Sequence, residues 1–274
     1  MHRTSDPLST RMPVLFVGHG SPMNSVLDNV WSQGFTKLGQ TLPAPKAIVS
    51  ISAHWYLGGT YLTGNADPRT IHDFYGFPRE LYEVSYPAPG QPQLAERIRG
   101  ILGDERASLR QDWGLDHGTW SVLKWMFPEA DVPVLQLSIN QKLTPKEHIA
   151  LGRALAPLRD EGVLILGSGN IVHNLRDAIT KMRSGGPMQT PIWASSFDRE
   201  TVDVLAQRDL ERLADPSWLA SNHGARAHPT PDHWLPILYT YGASLDTDDL
   251  SSPIEGFDLG SISMRAILWK DARR

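Results

Sequence analysis

Short, uninterrupted apolar runs that end in small or polar residues recur along this chain. They are Val14-Leu15-Phe16-Val17, Ala47-Ile48-Val49-Ser50-Ile51, Val132-Pro133-Val134-Leu135-Gln136-Leu137 and Val163-Leu164-Ile165-Leu166, with a less regular run from Ile262 to Leu268. A strand with one wet face alternates apolar and polar residues, whereas a strand covered on both faces has no need to. The runs therefore predict strands buried inside a helix-covered sheet. Helix-like stretches lie between them. Pro92 to Leu102 opens on proline and carries Leu94, Ile98, Ile101 and Leu102; Thr144-Pro145-Lys146-Glu147 reads as a capping box leading into Ile149, Leu151, Leu155 and Leu158. A longer helix is expected over Ser195 to Leu213, with Phe197, Val202, Leu205 and Leu213 near one face.

Strand–helix alternation predicts an α/β fold with a mainly parallel central sheet and helices on both faces. At 274 residues the chain could hold one or two domains. Its prolines and glycines are dispersed, so no linker stands out, and one elaborated domain over 12–274 is expected. Met1 to Arg11 is polar and mixed in charge and reads as a loose leader. Gly58 to Pro92 is rich in aromatics and turns and reads as an ordered excursion from the sheet.

Charge and composition then narrow the function. Lys plus Arg number 26 against 30 Asp plus Glu, with no basic cluster, which argues against nucleic acid as a partner. No apolar run approaches the ~18–20 residues a bilayer span needs, so no membrane partner is expected, and the cytoplasm is the expected compartment. The chain has no cysteine, which excludes disulfides, thiol nucleophiles and iron–sulfur sites. Any transition metal must be held by His, Asp or Glu.

Among ten histidines, position singles out a few. His19 follows the first strand in Gly18-His19-Gly20-Ser21, His54 follows the second in Ser52-Ala53-His54-Trp55, and His173 follows the fourth in Gly167-Ser168-Gly169-Asn170-Ile171-Val172-His173. The carboxyl ends of parallel strands share one edge, where ligands bind, so these imidazoles can converge. Gly18, Gly20, Ala53, Gly167 and Gly169 leave room for close approach of a ligand. Thr230-Pro231-Asp232-His233 resembles a helix start that would aim His233 at the same crevice, or would leave it exposed; His228 is its rival. His117, between Asp116 and Gly118, is either a pocket wall or part of a capped helix start whose tryptophans are core. His72 lies in a lid or a packed aromatic turn. His2, His148 and His223 are expected at the surface. Gly167-Ser168-Gly169-Asn170 lacks the Walker lysine of a phosphate cradle, and neither Ser168 nor Ser21 lies in a nucleophile elbow.

Six short motifs occur in order: Gly18-His19-Gly20-Ser21-Pro22-Met23, Ser52-Ala53-His54-Trp55, Ile71-His72-Asp73-Phe74, Asp116-His117-Gly118-Thr119-Trp120, Ser168-Gly169-Asn170 through His173-Asn174-Leu175, and Pro229-Thr230-Pro231-Asp232-His233. Together, from about Met12 to Leu268, the chain resembles the 4,5-DOPA extradiol dioxygenase family within the class III extradiol ring-cleaving dioxygenases. The resemblance implies one divalent metal at the sheet edge and a catechol plus O₂ as substrates, giving a ring-opened semialdehyde that bears a carboxylate. It implies His19, His54 and His233 as metal ligands. His173 would act as acid–base beside the metal, or as a further ligand, and His117 would lie near the substrate.

Many class III enzymes use two histidines and a carboxylate; here the third position looks like His233, with Asp232 the weaker candidate. Fe(II) is expected for turnover, and an all-imidazole set also suits Zn(II). Trp55, His72, Phe74 and Trp120, with Tyr75, are candidates for a wall around the substrate ring. Two other readings stay open: a zinc-dependent hydrolase, and a non-catalytic interaction protein of the same fold.

Overall fold

The computed structural model describes residues 11–185, 188–215 and 223–272; positions 1–10 of the expected leader, and His2 with them, lie outside the described residues. Arg11 forms a two-point ion pair with Asp160.

Eight strands form one sheet in the order β4-β3-β5-β2-β6-β1-β10-β7. In chain order these are β1 (Val14–Gly18), β2 (Ala47–Leu57), β3 (Thr60–Thr63), β4 (Ala107–Arg110), β5 (Val134–Asn140), β6 (Val163–Gly169), β7 (Asp248–Ile254) and β10 (Ala266–Asp271), with β8 (Phe257–Asp258) and β9 (Ile262–Ser263) forming a separate ribbon. The central strands β5, β2, β6 and β1 run parallel, while β3 and β10 pair antiparallel at the flanks. All four apolar runs that predict buried strands lie in this parallel centre. Successive side chains there point to opposite faces, and both faces are dry. Leu15, Val17, Ile48, Leu164 and Leu166 pack with Phe35, Leu38, Trp120, Leu123 and Met126 from α1 (Val30–Thr41) and α4 (His117–Met126). Phe16, Val49, Ile51, Leu135 and Ile165 pack on the other side. Their partners come from α3 (Pro92–Leu102), α5 (Pro145–Leu155), α7 (Ile192–Ala206) and α10 (Leu235–Ala243). Among the described residues, no helix is long and apolar enough to cross a membrane.

Local expectations hold where the chemistry is local. Thr144 and Glu147 close the capping box reciprocally, with Pro145 in the first turn of α5. Others needed correction. The helix expected over Ser195 to Leu213 breaks at Gln207-Arg208-Asp209, where Arg208 takes a positive φ of 53°, and a short α8 (Leu210–Ala214) follows with Asp209 as its cap. The late apolar run divides, Ile262–Ser263 joining the small ribbon and Ala266–Asp271 pairing with β1. No helix starts at Thr230: residues 231–234 form a turn whose end donates from Trp234 and Leu235 N–H to Pro231 O, and α10 begins at Leu235.

Candidate active site

Four segments deliver imidazoles to one end of the parallel strands. His19 leaves β1 directly, its N–H bonded to Gly169 O at 3.1 Å. His54 lies inside β2, which runs on to Leu57 rather than ending at Ile51; pairing with β5 slips between Ile51 and Tyr56, and such an irregularity re-aims the side chains near it. His117 opens α4, whose N-cap is the buried Asp116. His233 sits in the turn before α10, its carbonyl clamped by Asn170 N–H at 3.0 Å.

The nearby glycines serve these approaches rather than a ligand's. A Cβ on Gly169 would fall 2.3 Å from His233 O, and one on Gly118 would fall 2.4 Å from Ser52 Oγ and 3.0 Å from His54 Cδ2. Gly18 and Gly167 are likewise pressed against the backbone, of Ser263 and Pro236 respectively.

Oxygen partners at the outer nitrogens set the tautomers. Ser168 Oγ donates to Gly118 O and so accepts from His19 Nδ1, 3.0 Å away, which leaves the lone pair on His19 Nε2. His54 Nδ1 is 3.1 Å from Asp73 Oδ2, and His233 Nδ1 is bonded to Asp232 Oδ2. Each ring therefore turns Nε2 inward. His54 Nε2 and His19 Nε2 face one another at 3.1 Å, and His233 Nε2 is buried without a hydrogen-bond partner among the described residues. Donor atoms of the three lie within 4.8 Å of one another. Lone pairs gathered at that spacing repel unless a cation lies among them, and three imidazoles held by oxygen partners on their far side are the environment of a transition-metal ion. A second group, His54, Asp73 and His117, shares His54.

Electrostatics agree with that arrangement. Burial and the surrounding imidazoles hold His19 and His233 well below the usual histidine range. Burial pushes His54 down too, but Asp73, together with Asp116 and Asp232, outweighs it and the net shift is upward. Burial, with repulsion from His54, lowers His117 to about 4, and burial lowers His173 to about 4. Burial would raise Asp73, yet His117 and His54 pull it well below the carboxylate range.

The other candidates divide. His173 lies flat on His233, outside both donor groups, with ring centroids 3.4 Å apart. Phe74 meets His117 edge to face at 5.5 Å. Trp120 is fully buried, its Nε1 donating to Ile71 O, and His72 packs on Trp120 with Nε2 against Val84 O. Trp55 stacks on Trp113, and Tyr75 is 92% exposed. The rival His228 directs Nε2 at Ile171 O, 2.6 Å away, and packs against Phe197 and Trp234. His148 is not a surface residue. It is buried where α5 meets α10, with Nδ1 2.9 Å from Tyr239 Oη. His223 is half-buried.

Residues 12–252 match the family described as the catalytic LigB subunit of aromatic ring-opening dioxygenase. The chain belongs to the LigB family. It is 45% identical to a 4,5-DOPA dioxygenase extradiol of Escherichia coli K12, over 94% of this chain and 95% of that one. Identity to a protein of the same name from Beta vulgaris is 38%, over 84% and 85% of the two chains. A crystal structure of an uncharacterized protein from Escherichia coli K12 superposes with a TM-score of 0.80 at 40% identity, covering 94% of this chain and 99% of that one. As a LigB-family member the chain is an extradiol ring-cleaving dioxygenase, with a fold to match.

Sequence reasoning missed the oxygen partners. The sequence offers Ser168 as part of a phosphate cradle or as a nucleophile and Asp232 as a ligand, and it gives Asp73 no role, although Asp73 directly follows His72. Their signal is spatial. Ser168 reaches His19 because Val17 pairs with Ser168 in the β1–β6 register.

Proposed function

We propose that this LigB-family chain cleaves the ring of a DOPA-like or other substituted catechol with O₂, using one divalent metal held by His19, His54 and His233. The observation that carries this reading is the shared orientation of three imidazoles, each with Nδ1 engaged by Ser168, Asp73 or Asp232 and Nε2 turned to a common point. We assign Fe(II) to turnover, while Zn(II) suits the same nitrogens. Such an ion supplies Lewis acidity to the catechol oxygens and, as Fe(II), electrons for O₂.

The protein's own groups supply the rest. His173, neutral near pH 7 because burial lowers it to about 4, accepts a proton from a catechol hydroxyl and returns it as the ring opens. Stacking on His233 fixes the plane of its ring. His117 is also neutral, and with Nδ1 turned to Asp73 it offers Nε2 to a substrate oxygen. Phe74 beside it gives the catechol ring an apolar edge. Both atoms of O₂ enter the product, giving a semialdehyde that bears a carboxylate.

The test is reconstitution with Fe(II) under anaerobic conditions, addition of a catechol panel that includes DOPA and caffeate, and admission of O₂. One O₂ consumed per catechol, with a yellow ring-opened product, is expected. Product formed without O₂, or no O₂ uptake with any catechol, overturns the reading.

A further inference from the structure

We infer that Asp73 is a positioning residue that fixes the tautomers of two site histidines at once, His54 on the metal side and His117 on the substrate side. The inference rests on the reading of His54 as a metal ligand.

The two carboxylate oxygens are divided between the rings. Oδ2 lies 3.1 Å from His54 Nδ1, while Oδ1 lies 3.0 Å from His117 Nδ1 and accepts the His117 backbone N–H at 2.9 Å. Among the described residues, neither Asp73 Oδ2 nor His117 Nδ1 has any partner besides these ion-pair contacts. An ionised carboxylate only accepts, so each facing Nδ1 must carry a proton, and Nε2 is then the bare nitrogen of the neutral ring, the form a metal ligand takes. Those two bare nitrogens are what a metal ligand and an acceptor from a substrate hydroxyl require.

The chain between β3 and α3 is built to hold this carboxylate still. Ile71 N–H bonds to Leu115 O, and Trp120 Nε1 donates to Ile71 O. His72 Nε2 is held by Val84 O, and Phe74 is buried against Trp120 and Tyr82. The residues on either side of Asp73 are thus spent on anchoring, which gives the excursion from the sheet a purpose.

Asparagine at this position separates tautomer control from bulk. An amide has one acceptor oxygen, and the His117 backbone N–H claims it at the Oδ1 position. The NH₂ group must then face His54 Nδ1, which can only accept it by moving its proton to Nε2. Asp73→Asn is therefore expected to disarm His54 while leaving His117 as it was.

Two measurements on the full chain test this. In the metal-free protein labelled with ¹⁵N-histidine, at a pH high enough for His54 to be neutral, His54 and His117 should both be Nδ1–H tautomers, and Asp73→Asn should convert His54 alone to Nε2–H. In chelator competition with Zn(II), Asp73→Asn should bind about 10–100-fold more weakly than wild type, the range for loss of an outer partner of a ligating histidine. An Nε2–H tautomer at either histidine in the wild type overturns the inference without any variant, as does wild-type zinc affinity in a folded Asp73→Asn protein. Failure of the underlying reading looks different: His54→Ala would then keep wild-type zinc affinity.

Discussion

The imidazoles of His173 and His233 lie face to face, their planes within 4° of parallel and their centroids 3.4 Å apart. Two cations would repel strongly at that spacing, and burial already keeps both rings neutral near pH 7. His233 is further committed through Asp232, so His173 is the ring of the pair left to move a proton.

His173→Gln is accordingly expected to lower kcat by about 10²–10⁴-fold, the usual range for losing a positioned acid–base. Metal content should stay at the wild-type level. Turnover and metal content measured on the same preparation decide the matter, since loss of the ion along with the activity would make His173 a ligand instead.

Ser168 holds His19 from behind, accepting from Nδ1 and donating to Gly118 O. Ser168→Ala leaves the buried His19 ring N–H without its oxygen partner, at a cost of about 1–3 kcal/mol in unfolding free energy. Metal affinity should fall by about 10–100-fold, because His19 is then free to turn. Denaturant unfolding and chelator competition read the two effects, and unchanged metal affinity would show that Ser168 does not orient His19.

His148 makes the protein sensitive to acid. Burial lowers it from 6.5 to about 4, so between those values the unfolded chain binds a proton that the folded chain refuses. Stability from this group is complete above about pH 6.5 and is lost as the pH falls toward 4, amounting to at most about 3 kcal/mol. His148→Gln keeps a polar partner for Tyr239 and should show a correspondingly shallower loss of stability over that window. Unfolding curves for wild type and variant that fall in parallel would contradict this.

What the sequence disclosed, and what it withheld, follows from the range of each interaction. Continuous runs such as Val163–Leu166 reveal strands covered on both faces, and that alone places His19 at the carboxyl edge of the sheet. Strands β3 and β4, at one end of the sheet, are four residues each, too short to carry a pattern, and β7 at the other end alternates in burial around Asp248, Asp249 and Ser251. His148 stands three and seven residues before Leu151 and Leu155, a spacing that puts it on the apolar face of α5, where α10 covers it; a Cβ on Gly152 would lie 2.1 Å from Tyr239 O. Trp55, Trp120 and His72 have the composition of a substrate wall and are occupied by Trp113, Ile71 O and Val84 O. Ser168 and Asp73 reach their histidines through strand register and loop path, which no local spacing reports, whereas Asp232 adjoins His233 in sequence.

Everything above turns on whether His19, His54 and His233 share one ion. Anomalous diffraction from crystals of the metal-loaded protein, recorded on either side of the metal's absorption edge, tests this directly. A single peak about 2.0–2.1 Å from the Nε2 atoms of all three histidines is the predicted result, the usual distance for zinc on imidazole. A peak elsewhere in the molecule, or one that leaves any of these three nitrogens out of its coordination, would contradict it.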